Sequence, residues 1–213
     1  MTSIDRRKFL LLGAGAAVGV SALPLLGCGS DDTSQSVLIL GESPRPFFTP
    51  SEITSVDGVL ETTLTMAAAM VPFGDGQRWA YTYNGATPGP TLRVRPGDLM
   101  RIRVVNQLES PTNLHTHGLH VSPEGNSDNV FVSIEPGEEF LFEIQLPENH
   151  RGGTYWYHPH RHGYVAEQVS AGLAGMIIVE GDYDRDPVLA AATERIMVLN
   201  DPVIGQDKSI VST

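Results

Sequence analysis

Apolar and charged side chains alternate most regularly in the segment LMRIRVVN, which occupies positions 99–106. Its members Met100, Ile102 and Val104 are apolar, and two arginines stand between them. Successive side chains on a β-strand point to opposite faces, so this spacing predicts a strand with one buried face and one exposed face. The turn signal Pro96-Gly97-Asp98 directly precedes the segment and marks where the strand begins.

The same pattern continues along the chain. Strand-like runs, alternating or rich in aromatic and β-branched residues, occupy 140–145, 154–157 and 175–179. Turn signals separate the runs, and the clearest are Asn84-Gly85, Pro88-Gly89-Pro90 and Pro136-Gly137-Glu138. Only residues 165–173 have a pattern that fits a helical turn or two. Short strands at this spacing predict an all-β fold, either a sandwich or a barrel.

Composition excludes several classes of function. The chain has 213 residues, of which 41% are hydrophobic, and this is enough for a globular core. Its net charge of −11 disfavours nucleic acid as a partner, because affinity for phosphates depends on basic charge. The single cysteine, Cys28, excludes an internal disulfide, a thiolate zinc finger and a CxxC redox pair.

Residues 1–28 are predicted to be an export signal rather than part of the fold. Basic residues at 6–8 precede an apolar run rich in Gly and Ala. The segment DRRKFL at 5–10 is similar to a twin-arginine signal, and an ordinary secretory signal or a membrane anchor is the alternative. The ending Leu25-Leu26-Gly27-Cys28 resembles a bacterial lipoprotein box. We therefore expect an exported, periplasmic or cell-envelope protein, held at a membrane by lipidated Cys28.

Three further segments follow the signal. Residues 29–57, rich in Ser, Asp and Pro, are expected to form a tether and an irregular lead-in. Residues 58–182 are expected to form one β domain. Residues 183–213 are expected to be a linker and the first strand of an incomplete second β domain, with that strand at 195–199. A single strand cannot bury itself, so the rest of that domain is expected outside this sequence.

All seven histidines lie between positions 115 and 162, and four of them form two His-x-His pairs. The pairs are His115 with His117 and His158 with His160. On a strand each pair presents two imidazoles side by side. Neutral imidazole is the commonest metal ligand in proteins and suits copper, zinc, iron and nickel. Residues 118–157 are long enough to bring the two pairs onto adjacent strands, so we predict that all four histidines bind metal.

The surroundings of the two pairs also carry predictions. Trp156 and Tyr157 directly precede the second pair and are expected to shield it from solvent. The other histidines are predicted not to be metal ligands. His162 is expected at the surface or behind the ligands, His120 is expected to face away from the first pair, and His150 is expected in an exposed loop.

Four motifs follow one another along residues 59–181. They are YNGATPGPT at 83–91, HTHG at 115–118, GTYWYHPH at 153–160 and GLAG at 172–175. Together they resemble the N-terminal domain of a laccase-like multicopper oxidase. The resemblance implies a cupredoxin-like (plastocyanin-like) Greek-key β-sandwich. It also implies an oxidoreductase in which a type 1 copper passes electrons to a trinuclear copper cluster that reduces O₂ to water.

The same resemblance implies roles for single residues. His115 resembles a ligand of the type 2 copper, and His117, His158 and His160 resemble ligands of the type 3 copper pair. Asp128 is the nearest candidate for the acid that the family places on the proton route, and a turn-capping aspartate is the alternative. Copper ions and O₂ are the partners implied.

The sequence departs from the family in one large respect. A type 1 site needs a cysteine thiolate with two histidines, and Cys28 lies in the predicted signal. The two His-rich motifs that the family carries near its C-terminus are also missing. We therefore expect this chain to hold half of the ligands of the trinuclear site and to have no oxidase activity alone. Missing C-terminal domains or a partner chain would complete it. A stand-alone copper-binding lipoprotein is one alternative, and a mononuclear zinc or iron enzyme, which the second pair disfavours, is another.

Overall fold

The structure, a computed structural model, describes residues 48–74 and 76–200, together with the backbone of 203–204 and 210–211. The predicted export signal, Cys28 and most of the predicted tether lie outside these residues. The described residues belong to a compact unit, Pro46–Thr213. Among them, no helix has the length and apolar character needed to cross a membrane.

Strands dominate the described part of the chain. In chain order they are β1 (Glu52–Thr54), β2 (Val59–Phe73), β3 (Gly76–Tyr83), β4 (Thr91–Val94), β5 (Leu99–Asn106), β6 (His115–His117), β7 (Glu139–Gln145), β8 (Gly153–His158), β9 (Gly175–Val179), β10 (Val203–Ile204) and β11 (Ile210–Val211). Three short helices accompany them: α1 (Val165–Ser170), α2 (Asp182–Arg185) and α3 (Pro187–Ala190).

Two mixed sheets form the body of the domain. One has four strands in the order β3-β2-β5-β7, and the other has five in the order β1-β4-β9-β8-β6. Parallel pairing joins β2 to β5, β1 to β4 and β4 to β9, whereas the remaining neighbours in these sheets are antiparallel. The predicted all-β sandwich is therefore confirmed.

The core lies between the two sheets. Met100, Ile102 and Val104 of β5 are fully buried, which confirms the predicted alternation. The two arginines between them pair with glutamates of the neighbouring β7 on the other face. The largest other core side chains are Leu60, Leu64, Phe142, Ile144, Tyr157 and Ile177. Burial of one large apolar side chain stabilises the fold by roughly 1.5–3 kcal/mol, so the core holds the two sheets together.

Two glycines shape the packing around Tyr157, which is fully buried. The Tyr157 hydroxyl donates to the Pro90 carbonyl at 2.7 Å, and its ring packs edge-on against Tyr83 with centroids 5.1 Å apart. A Cβ at Gly175 would lie 2.1 Å from the Tyr157 ring, and one at Gly89 would lie 2.6 Å from its hydroxyl. The PGP and GLAG motifs therefore keep two backbone segments close to one aromatic ring.

The C-terminal part differs from its prediction at one strand. Residues 193–200 have irregular backbone, so the strand predicted at 195–199 is wrong. Ile196 is buried there, but Met197 and Leu199 are mostly exposed. A strand needs a hydrogen-bonded neighbour, and none pairs with this segment among the described residues. The short strands β10 and β11 pair with each other further along, in antiparallel register.

Candidate metal centre

The first histidine pair lies on β6, the edge strand of the five-stranded sheet. His115 and His117 share one face of this strand, and Thr116 between them is buried on the other. In the antiparallel register with β8, His115 is opposite His158 and His117 is opposite Trp156. The prediction of adjacent strands is therefore confirmed for His115, His117 and His158, whereas His160 lies two residues beyond the end of β8.

All four predicted ligands come together, and His115 is central among them. Its ring centroid lies 5.5 Å from that of His117, 5.3 Å from that of His158 and 5.2 Å from that of His160. His115, His117 and His158 each offer a ring nitrogen within 4.8 Å of the others. His160 lies at the margin, with its ring 6.0 Å from that of His158.

The closest nitrogens belong to different strands. His117 Nδ1 and His158 Nε2 are 3.3 Å apart. His158 Nδ1 lies 2.8 Å from the Pro159 carbonyl, which only accepts, so Nδ1 carries the hydrogen and Nε2 keeps its lone pair. Two nitrogens bound at about 2.0–2.1 Å to a tetrahedral metal lie about 3.3 Å apart. Burial lowers the pKa of His158 to about 4, which keeps this ring neutral and able to bind metal at neutral pH.

Asp128 fixes the orientation of His115. Both carboxylate oxygens lie 3.0 Å from His115 Nδ1, and Oδ1 also accepts from the Thr116 backbone N–H at 2.8 Å. The carboxylate is almost fully buried. Since a carboxylate accepts, it selects the tautomer with hydrogen on Nδ1 and leaves Nε2 free as a donor to metal. The sequence predicted a proton-route acid or a turn cap for Asp128, and its contact with His115 was not predicted.

We expect Asp128→Asn to weaken Cu(II) binding by about 10–100-fold, the usual cost of losing a partner behind a metal ligand. An amide can turn a donor towards His115 Nδ1–H and so disfavours the tautomer that binds metal. A competition titration with a chelator measures the change. Asp98→Asn is the matched control, because this buried carboxylate accepts from Ser55 and Arg95 and contacts none of the four histidines. Equal Cu(II) affinity in the two variants would contradict this role.

Aromatic shielding of the centre comes from one residue rather than two. Trp156 stacks on His158, with centroids 4.0 Å apart, and on His117 at 4.9 Å. Tyr157 does not shield the pair, so that prediction is wrong. Alternation along β8 turns Tyr157 into the core while Trp156 and His158 share the opposite face.

The other histidines have separate surroundings. His162 and His120 are exposed, whereas His150 is buried, so its predicted place in an exposed loop is wrong. His150 Nε2 accepts from the His120 backbone N–H at 3.0 Å, and Nδ1 lies 2.9 Å from the Arg151 carbonyl. Both ring nitrogens of His150 therefore bind backbone, which explains the burial.

Sequence reasoning missed one polar residue beside the centre. Asn113 is fully buried, and its Oδ1 accepts from the His160 backbone N–H at 2.6 Å. Asn113 stands two residues before the first pair, so the sequence places it near His115. Nothing in the sequence indicates its contact with the second pair.

Two packed sheets carry clustered imidazoles at one edge, on β6 and at the end of β8, and this arrangement is suited to binding metal. Comparison with known proteins identifies the class. A sequence model of the multicopper oxidase family matches residues 65–184, more than half of the chain. The chain therefore belongs to the multicopper oxidase family, and its sandwich is a copper-binding, cupredoxin-like domain of that family.

Individual relatives agree with this assignment. Copper resistance protein A of Pseudomonas syringae pv. tomato is 34% identical over 66% of this chain and 22% of its own length. The multicopper oxidase mco of Staphylococcus aureus is 34% identical over 61% of this chain and 27% of its own. A solved multicopper oxidase from Campylobacter jejuni has a TM-score of 0.54 at 30% identity, covering 66% of this chain and 31% of that one. The chain thus spans about a quarter of the length of these curated relatives.

Proposed function

We propose that His115, His117, His158 and His160 supply half of the ligands of a trinuclear copper cluster that reduces O₂ to water. The observation that carries the proposal is the contact of His115 with all three other rings, at 5.2–5.5 Å between centroids. Four clustered imidazoles exceed the three protein ligands that a mononuclear catalytic zinc site uses. A centre with more than one metal ion is therefore favoured.

The chain's own residues would prepare this centre before any metal arrives. His117 and His158 suit one shared ion because their nearest nitrogens are 3.3 Å apart. Asp128 holds the proton on His115 Nδ1, and the Pro159 carbonyl holds the one on His158 Nδ1. Trp156 covers one side of His158 and limits the access of water. Copper would supply the redox chemistry by which O₂, four electrons and four protons become two waters.

Asp128 is the acid best placed to deliver protons to this chemistry. It is almost fully buried and hydrogen-bonded to His115, so it lies directly behind a proposed ligand. The electron donor would act elsewhere, because a type 1 site needs a thiolate and Cys28 lies in the predicted export signal. We propose that a longer protein or a partner chain contributes the type 1 copper, the remaining cluster ligands and the site of the reducing substrate.

Metal analysis of the purified 213-residue chain tests the proposal. We expect Cu(II) uptake with nitrogen coordination in the EPR spectrum, no intense blue thiolate-to-copper absorption, and no O₂ consumption with a phenolic reductant. Blue absorption or O₂ consumption by the chain alone would contradict the half-cluster. An EPR spectrum without nitrogen coordination would contradict the histidine centre itself.

The N-terminal region supports a separate proposal about location, which rests on its sequence alone. We propose twin-arginine export to the periplasm or cell envelope and a lipid anchor on Cys28. In a bacterial host, labelled fatty acid is expected to enter the wild-type chain and not Cys28→Ser, because serine lacks the thiol that accepts the lipid. Gel autoradiography of the two proteins measures this. Equal labelling would remove the anchor from the proposal.

A further inference from the structure

We propose that Asn113 is a positioning residue, which sets where His160 stands relative to the rest of the metal centre. This inference rests on the proposed function, since it concerns the same four histidines. Asn113 precedes β6, is fully buried, and accepts from the His160 backbone N–H at 2.6 Å. Among the described residues, no other side chain hydrogen-bonds to that N–H.

His160 needs such support because the sheet does not hold it. Strand β8 ends at His158, and the backbone of residues 159–161 is irregular. Pro159 has no N–H to donate, and its carbonyl is occupied by His158 Nδ1. The contact with Asn113 therefore fixes the backbone of a ligand that lies beyond the end of its strand.

The other end of the Asn113 amide reaches the loop that follows Asp128. Nδ2 donates to the Val130 carbonyl at 2.8 Å and to the Val132 carbonyl at 3.2 Å. These contacts fix which way the amide points. If O and N exchanged places, an N–H would face the His160 N–H, and an oxygen would face two carbonyls.

One side chain thus joins three segments of the centre: the approach to the first histidine pair, the loop after Asp128, and the second pair. One of its three hydrogen bonds holds the backbone of His160, whose ring is 5.2 Å from that of His115. Loss of Asn113 would free His160 to move while leaving the His117–His158 contact in β6 and β8. The expected defect is therefore specific to His160.

A double-mutant cycle on the full 213-residue chain tests this, with Cu(II) affinity as the readout. Asn113→Ala is expected to weaken Cu(II) binding by about 10–100-fold, and His160→Ala, which removes a proposed ligand, by at least as much. If Asn113 acts through His160, the double variant binds no more than about threefold more weakly than His160→Ala alone. Full additivity of the two losses would overturn the proposal.

Asn106→Ala is the matched control. This amide is also fully buried and makes three hydrogen bonds, to Leu108, Ser110 and Ile134, but it does not contact His160. We expect it to lower stability as Asn113→Ala does while changing Cu(II) affinity less than about threefold. An equal loss of affinity in both variants would show a general structural effect and overturn the positioning role.

A measurement on the wild-type chain does not depend on a variant that folds. The His160 amide is expected to exchange its hydrogen with solvent about 100-fold more slowly than an unprotected amide, as followed by NMR. Unprotected exchange together with nitrogen-coordinated Cu(II) would overturn the role of Asn113 and leave the proposed function intact. Protected exchange without Cu(II) binding would support the placement of His160 by Asn113 and contradict the proposed function.

Discussion

Alanine in place of His117 is expected to weaken Cu(II) binding by the chain by more than about 100-fold and to abolish O₂ reduction in the complete oxidase. The loss exceeds the 10–100-fold effect of a residue behind the ligands, because His117 itself offers a nitrogen to the metal. His117 Nδ1 lies 3.3 Å from His158 Nε2, so both nitrogens are close enough to bind one ion. Chelator competition and an oxygen electrode measure the two effects.

His162→Ala and His120→Ala are the matched controls for His117→Ala. Both remove an imidazole that is exposed and lies outside the group of three ring nitrogens within 4.8 Å of one another. Cu(II) affinity is expected to change less than about threefold in each. If His162→Ala cost as much affinity as His117→Ala, the copper would lie at scattered surface histidines and not at the proposed centre.

Gly175→Ala is expected to destabilise the domain by about 3 kcal/mol or more, at the upper end of the range for overpacked cores. The added Cβ would lie 2.1–2.4 Å from atoms of the Tyr157 side chain, which the Pro90 carbonyl and the Tyr83 ring hold in place. The Tyr157 ring is fully buried and Gly175 is buried at the start of β9, so neither can move without disturbing the core. The midpoint of urea unfolding measures the loss.

Gly76→Ala provides the comparison for this change. It makes the same substitution in a strand, but the nearest atom to its Cβ is the flexible end of Arg78 at 3.1 Å. We expect an effect below about 1 kcal/mol there. The double variant Gly175→Ala with Tyr157→Leu should regain part of the lost stability, since the clashing ring is gone. Equal unfolding midpoints for the two glycine variants would contradict the packing described around Tyr157.

Local patterns in the sequence predicted much of the sandwich. The alternation at 99–106 identified a half-buried strand, and Asn84-Gly85 identified a tight turn in which both residues have positive φ, 54° and 78°. Period two also placed the members of the first histidine pair on one face of a strand. These features depend on residues close together in the chain, so a short window of sequence contains the information.

Features that depend on distant contacts escaped prediction. The burial of His150 follows from its bond to the backbone of His120, and no local pattern reports that contact. Tyr157 was placed beside the histidines because it is next to His158, although the strand turns it towards Tyr83 in the core. Asn113 contacts the backbone of His160, which is remote in sequence, and also the carbonyl of Val130. These contacts exist only in the folded chain, so no local pattern indicates them. The assignment of each histidine to a particular copper remains a prediction.

The order of strands in the five-stranded sheet also has a consequence for how the domain folds. β4 pairs in parallel with β9, so that Leu92 is opposite Ile177, and β6 pairs with β8 at the edge of the sheet. Such remote pairings make folding slow, because long loops must close before their contacts form. During synthesis, β4 presents an unpaired edge until residues 175–179 have left the ribosome, and unpaired edges promote aggregation. The two histidine pairs lie in β6 and at the end of β8, so the proposed metal centre cannot form until residues 153–160 have also left the ribosome.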